Sequence, residues 1–134
     1  MTSIESVTGE LKTTKYEVYQ NLSDLNNLKD YLPEDKISNW ESDGNECSFK
    51  VMGTYTIGLR IDESSTADHM KLVATDKSPF PFTLNLHLDE KAETLTEAHI
   101  LCEAKLNPML KMMVVKPLKN LFDFIITRAE KHYS

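Results

Sequence analysis

The stretch NPMLKMMVVKPLKNLFDFIITRAEKH, residues 107–132, reads as one long amphipathic helix. Asn107 suits the N-cap, and Pro108 suits the first helical position, where its missing N–H would have had no intrahelical acceptor. Leu110, Val114, Leu118, Leu121, Phe122, Ile125 and Ala129 recur at steps of three and four, while Lys116, Lys119, Asp123, Thr127 and Glu130 share the opposite face. Roughly 25 residues at about 1.5 Å each make a rod of roughly 37 Å, enough to cross a small domain. Pro117 lies inside this rod and deprives the Met113 carbonyl of its donor, which predicts a kink. Ahead of it Met109, Leu110, Met112, Met113, Val114 and Val115 are apolar nearly all round, so that half needs a cover. The loop carrying Phe80, a second copy of the chain in a homodimer, or a flexible pocket mouth would each supply one.

What precedes the helix is almost entirely strand signal. A first strand from about Ser3 to Lys12 alternates at Val7, Gly9 and Leu11, but Ile4 is out of phase, which places a bulge near Glu5 and Ser6. Thr14 and Glu17 then form a capping box for a short helix carrying Val18, Leu22 and Leu25, and Ser23 caps a second with Leu25, Leu28 and Leu32 inward, ended by Pro33. From Lys36 strands follow one another. Ile37–Ser42 leads into the turn Asp43-Gly44-Asn45, Cys47–Met52 follows, and Tyr55, Ile57, Leu59 and Ile61 share the buried face of the next. Met70, Leu72 and Ala74 line another, and Phe82, Leu84, Leu86 and Leu88 keep a strict period of two. The last strand, about Leu95–Leu106, presents Ala98, Ile100, Cys102, Ala104 and Leu106 on one face. Pairing residue 86 with 98 and 84 with 100 aligns these faces and sets His87 beside Glu97 on the solvent side. Short connections and one polar face make the sheet antiparallel.

The chain has 134 residues, 40% hydrophobic and 27% charged, which fits one soluble domain over 1–134. No apolar run reaches the roughly 20 residues of a membrane span, and MTSIESVTGE lacks the basic and apolar regions of an export signal, so a cytoplasmic location without integral membrane association is expected. Cys47 and Cys102 are then two reduced thiols. A net charge of −6 argues against nucleic acid as a partner. From Lys105 onward six basic residues face two acidic ones, a balance of +4, leaving −10 for residues 1–104. Lysines coating a helix account for this; an anionic head-group or membrane surface near Lys111, Lys116 and Lys119 is the other reading.

The order strand, two short helices, six strands, long C-terminal helix resembles the helix-grip fold of the START-like superfamily, also called SRPBCC, which includes birch-pollen-allergen-like proteins and polyketide cyclases. The segments that carry the resemblance are Leu22–Leu28, Leu32-Pro33-Glu34-Asp35, Ser78–Phe82, Leu106-Asn107-Pro108 and Lys116-Pro117-Leu118. All are turns, caps and packing positions rather than catalytic signatures. The resemblance implies an α+β fold in which a curved seven-stranded antiparallel sheet wraps the long helix, with two short helices between strands 1 and 2. It also implies a cavity for a small hydrophobic molecule such as a lipid or polyketide, lined by Tyr55, Ile57, Leu59, Met70, Leu72, Phe82, Leu84, Leu86, Ala98, Ile100, Cys102, Leu110, Met113, Val114, Leu118 and Leu121.

Small residues among these, Ala98 above all, equally admit bulky side chains from the helix, so a filled core is the competing expectation. The inward polar side chains are Tyr55 and Cys102. In an enzymatic reading, of cyclase or hydrolase type, Tyr55 and water would act on the guest; otherwise the hydroxyl finds a backbone or water partner. Cys102 has no neighbouring base and behaves as a small hydrophobe. His69 starts a strand, His87 and His99 face outward and His132 ends the chain, with no metal-ligand spacing among them, and no cofactor is implied. A third reading is a protein-interaction module of the co-chaperone type, using the methionine-rich half of the helix.

Overall fold

A computed structural model describes residues 1–134. The strands are β1 (Thr2–Glu5), β2 (Gly9–Leu11), β3 (Ile37–Ser42), β4 (Glu46–Val51), β5 (Tyr55–Ile61), β6 (His69–Ala74), β7 (Phe82–Ala92) and β8 (Leu95–Ala104). They form one antiparallel sheet in the order β1-β8-β7-β6-β5-β4-β3, with β2 also paired to β8. Helix α1 (Lys15–Leu22) and a 3-10 helix (Leu25–Tyr31) lie between β2 and β3, and α2 (Pro108–His132) ends the chain. This is the helix-grip arrangement. No helix is long and apolar enough to cross a membrane.

Eight strands stand where seven were expected because the first is broken. β1 pairs Ile4 with Cys102, whereas β2 pairs Gly9 with Ala98, a register displaced by one residue. Ser6 occupies the break: its N–H donates to the Ile100 carbonyl at 2.9 Å, and its hydroxyl accepts the Ile100 N–H at 2.8 Å. The extra residue turns both Ile4 and Leu11 inward, and both are buried.

The short helices follow local chemistry. The Thr14 side chain accepts the Glu17 N–H as N-cap of α1, but the Glu17 carboxylate takes the Thr13 hydroxyl. Asp24, not Ser23, caps the 3-10 helix by accepting from Asn26 N–H; the Ser23 hydroxyl instead donates to the Tyr19 carbonyl at 2.6 Å, closing α1. In α2 the Asn107 side chain accepts from Leu110 N–H at 2.8 Å, and the helix continues through Pro117.

The β7–β8 pairing corrects the expected register by two residues. Leu84 faces Cys102, Leu86 faces Ile100, Leu88 faces Ala98 and Phe82 faces Ala104. β7 runs on to Ala92, where a tight turn and an irregularity at Lys91 set the pairing. Because the displacement is even, the apolar face is unchanged. Phe82 and Leu88 stand opposite alanines.

Helix α2 packs on β1, β2, β8 and the 3-10 helix. A Cβ added at Gly9 would lie 2.5 Å from Ile126 Cγ2, so glycine is what lets the helix approach this strand. Two side chains expected on the solvent face of α2 instead brace the sheet edge. Asp123 accepts the Val7 N–H at 2.8 Å, and Glu130 accepts the Glu10 N–H at 3.0 Å. The chain end is tied as well: the Tyr133 carbonyl accepts Lys12 N–H at 3.0 Å, and the His132 ring meets Tyr31 edge-on at 5.4 Å. Along α2 the buried residues are Val114, Leu118, Leu121, Phe122, Ile126 and Ala129; Ile125, expected in this stripe, is half-buried.

Candidate ligand cavity

Between the concave face and α2 lies a cavity walled by 25 residues, all of them hydrophobic. Twelve of the sequence-expected lining residues stand in this wall: Ile57, Leu59, Met70, Leu72, Phe82, Leu84, Leu86, Ala98, Ile100, Cys102, Leu118 and Leu121. Four do not. Tyr55 packs against the core from the start of β5, while Leu110 and Val114 belong to the half of α2 ahead of Pro117, which rides beyond the wall. Met113 is 55% exposed and points away from the interior altogether.

Sequence reasoning missed much of the floor. Val18, Leu22, Leu25, Leu28, Tyr31 and Leu32, from α1 and the 3-10 helix, close the cavity together with Leu11, Phe49, Phe122, Ile126 and Tyr133. The signal was present, since Leu25, Leu28 and Leu32 read as inward. What was absent was the position of the paired helices under the sheet, a tertiary fact.

The space is small. It amounts to about 70 Å³ open to a water-sized sphere, whereas an apolar cavity of about 150 Å³ holds benzene. As it stands the interior is a narrow apolar slot. A lipid-sized guest requires the wall to move.

Polar groups near the cavity are engaged or remote. The Tyr31 hydroxyl donates to Asn21 Oδ1 at 2.8 Å, and burial is the main cause that raises its pKa. Thr96, fully buried, donates its hydroxyl to the Thr13 carbonyl at 2.8 Å. Burial pushes the Cys102 thiol up to about 12, with Glu103 adding to the shift, so the nucleophilic thiolate is disfavoured. Cys47 is likewise pushed up to about 12 by burial. The Tyr55 hydroxyl is buried without a hydrogen-bond partner, and burial raises its pKa. It is a stranded polar atom, not a member of the wall. The Tyr55-and-water chemistry of the enzymatic reading has no second polar group beside it.

The outer face holds a constellation the expected register had concealed. His87 pairs with His99 rather than Glu97, and His69 pairs with His87. The rings stack at 4.6 Å (His69–His87) and 5.0 Å (His87–His99). His69 Nε2 lies 2.7 Å from Asn85 Oδ1, and the Asn85 amide donates to the Leu101 carbonyl at 3.1 Å; His69 therefore donates through Nε2. Burial lowers the His87 pKa below its usual 6.5, helped by the facing His69 and His99, while Glu5 opposes the shift.

No protein-family model and no curated protein matches the sequence. Solved structures do match in fold. The protein XoxI from Bacillus cereus superposes with a TM-score of 0.75 at 12% identity, over 99% of this chain and 96% of that one. A START superfamily protein from Mycobacterium smegmatis gives 0.71 at 12% identity, over 98% and 96%. A conserved protein from Geobacillus kaustophilus gives 0.70 at 16% identity, over 98% and 93%. At such identities the likeness establishes the fold alone.

Proposed function

From a chain with the helix-grip fold of START-like proteins, we propose that it binds a small hydrophobic molecule, lipid-like or polyketide-like, between the sheet and α2, and performs no chemistry on it. The single observation that carries this reading is the wall itself: a concave sheet, two short helices and a long helix meet around a space whose lining residues are all hydrophobic, Cys102, Tyr31 and Tyr133 among them. Burial of a guest there would be driven by the apolar area removed from water, about 25 cal/mol per Å². Orientation by hydrogen bonds would contribute little.

In this reading the slot of about 70 Å³ is the closed form of the site. Binding then proceeds by displacement of packed side chains. Native mass spectrometry of gently purified protein tests the proposal. A released organic molecule of low polarity supports it; a bare chain mass, together with no saturable uptake of N-phenyl-1-naphthylamine, refutes it. A second reading, a docking surface on the first half of α2, is favoured by Met109 at 68% exposure and Met112 at 87%. It is independent of the cavity.

A further inference from the structure

Of the seven large hydrophobics that are strongly exposed, five are methionines, and apart from Met1 they are Met52, Met109, Met112 and Met113. On α2, Met109 precedes Met112 and Met113 by three and four residues, and Lys116 follows Met112 by four, so all share one flank of the helix. Met52 lines a groove beside this flank together with Lys116, Pro117, Lys36 and Asp35. It sits in a hairpin turn with φ of 52°, a left-handed conformation that a methionine rarely adopts. The loop carrying Phe80 leaves this flank uncovered.

Lysines outnumber the acid in this groove, Lys36 and Lys116 against Asp35. Lys36, Lys105, Lys111 and Lys116 are exposed and form no ion pair, while Lys119 bonds Asp123 at 3.0 Å. The first turn of α2 has no acidic residue, although the partial positive charge of a helix N-terminus favours one. Residues 1–104 carry −10 and those from Lys105 onward +4, so the segment that bears Met109, Met112 and Met113 is the basic one.

We propose that this end of the molecule docks on an anionic lipid bilayer, the methionines entering the interface and the lysines meeting the phosphate head-groups. A second copy of the chain fits poorly there, since a two-fold contact would set the lysines of one copy against those of the other. A pocketed protein partner fits poorly too: the methionines stand on a convex flank, and their unbranched side chains suit a fluid boundary. The inference goes beyond the cavity reading and does not depend on it, although it gives a lipophilic guest a source.

The test is co-sedimentation of the full chain with vesicles of phosphatidylcholine alone and of phosphatidylcholine with an equal part of phosphatidylglycerol. Binding is expected to the anionic vesicles, weak to the neutral ones and reduced by salt. Each lysine near such a surface is worth about fivefold in partition, so Lys111→Gln with Lys116→Gln lowers binding about 25-fold. Met112→Ser with Met113→Ser lowers it as well, whereas Lys77→Gln, outside the patch, leaves it unchanged. Far-UV circular dichroism and N-phenyl-1-naphthylamine uptake of the lysine variant should match the parent, which separates failure of docking from failure of the cavity. Equal binding to both vesicle types, no binding, or variants indistinguishable from the parent overturns the proposal. So does a dimer abolished by Met112→Ser without vesicle binding, or capture by soluble polyglutamate that the methionine variants leave intact.

Discussion

The two halves of α2 are built from the same helix and meet different fates. Beyond Pro117, Leu118, Leu121, Phe122, Ile126 and Ala129 are buried, and Asp123 and Glu130 hold backbone N–H groups of the sheet edge. Ahead of Pro117 only Val114 is buried, and three methionines face solvent. The difference teaches that hydrophobic content does not assign burial. The second half is fixed by what approaches it, above all Gly9; the first half overhangs the sheet and keeps its apolar surface for another body.

Four substitutions would break or sharpen this contrast, and chemical denaturation measures each. Ile126→Ala should cost about 2–5 kcal/mol, because a side chain that is 1% exposed leaves a gap between α2 and β2. Gly9→Ala, which drives a methyl group to 2.5 Å from Ile126 Cγ2, should cost roughly 1–3 kcal/mol by pushing the helix off the strand. Asp123→Ala removes the acceptor of the Val7 N–H, and since that group then reaches water the loss should be about 1 kcal/mol. Met112→Ser, at the most exposed methionine, should stay within about 0.5 kcal/mol of the parent. A loss at Met112 comparable to that at Ile126 would erase the distinction between the halves.

A smaller effect concerns pH. The folded His87 pKa lies below 6.5, so as pH falls through that value the unfolded chain takes up its proton first. Stability is therefore full above about pH 6.5 and declines as pH drops toward the lower folded pKa. The titratable groups that face His87 are His69, His99 and Glu5. Melting temperature followed from neutral to mildly acidic pH should slope downward in the parent and less so in His87→Gln; parallel slopes would show that the stacked row does not couple to folding.

Much of the architecture was legible because it rests on local signals. Asn107-Pro108, Thr14 as N-cap, and Asp43-Gly44-Asn45 each act within a few residues, and each stands where its chemistry placed it, although Glu17 bonds Thr13 instead of closing the capping box. The apolar faces of β7 and β8 survived a register error of two residues because side chains alternate with a period of two. What failed depended on long-range placement. Pairing His87 with Glu97 required knowing where β7 turns, and the row His69–His87–His99 stayed hidden as a result. Asp123 and Glu130 looked like solvated residues because nothing in the helix shows that a broken edge strand needs their oxygens. Met113 entered the expected cavity on hydrophobicity alone, and Val18 and Tyr31 were left out because their helices close the floor only in three dimensions.

The account turns on the apolar interior accepting a guest, and methyl NMR reads this directly during titration with N-phenyl-1-naphthylamine. Saturable shifts are predicted at wall methyls, Leu86, Ile100, Leu121 and Ile126, with Met109 and Met112 unmoved. Shifts confined to those methionines, or none at any concentration, would contradict it.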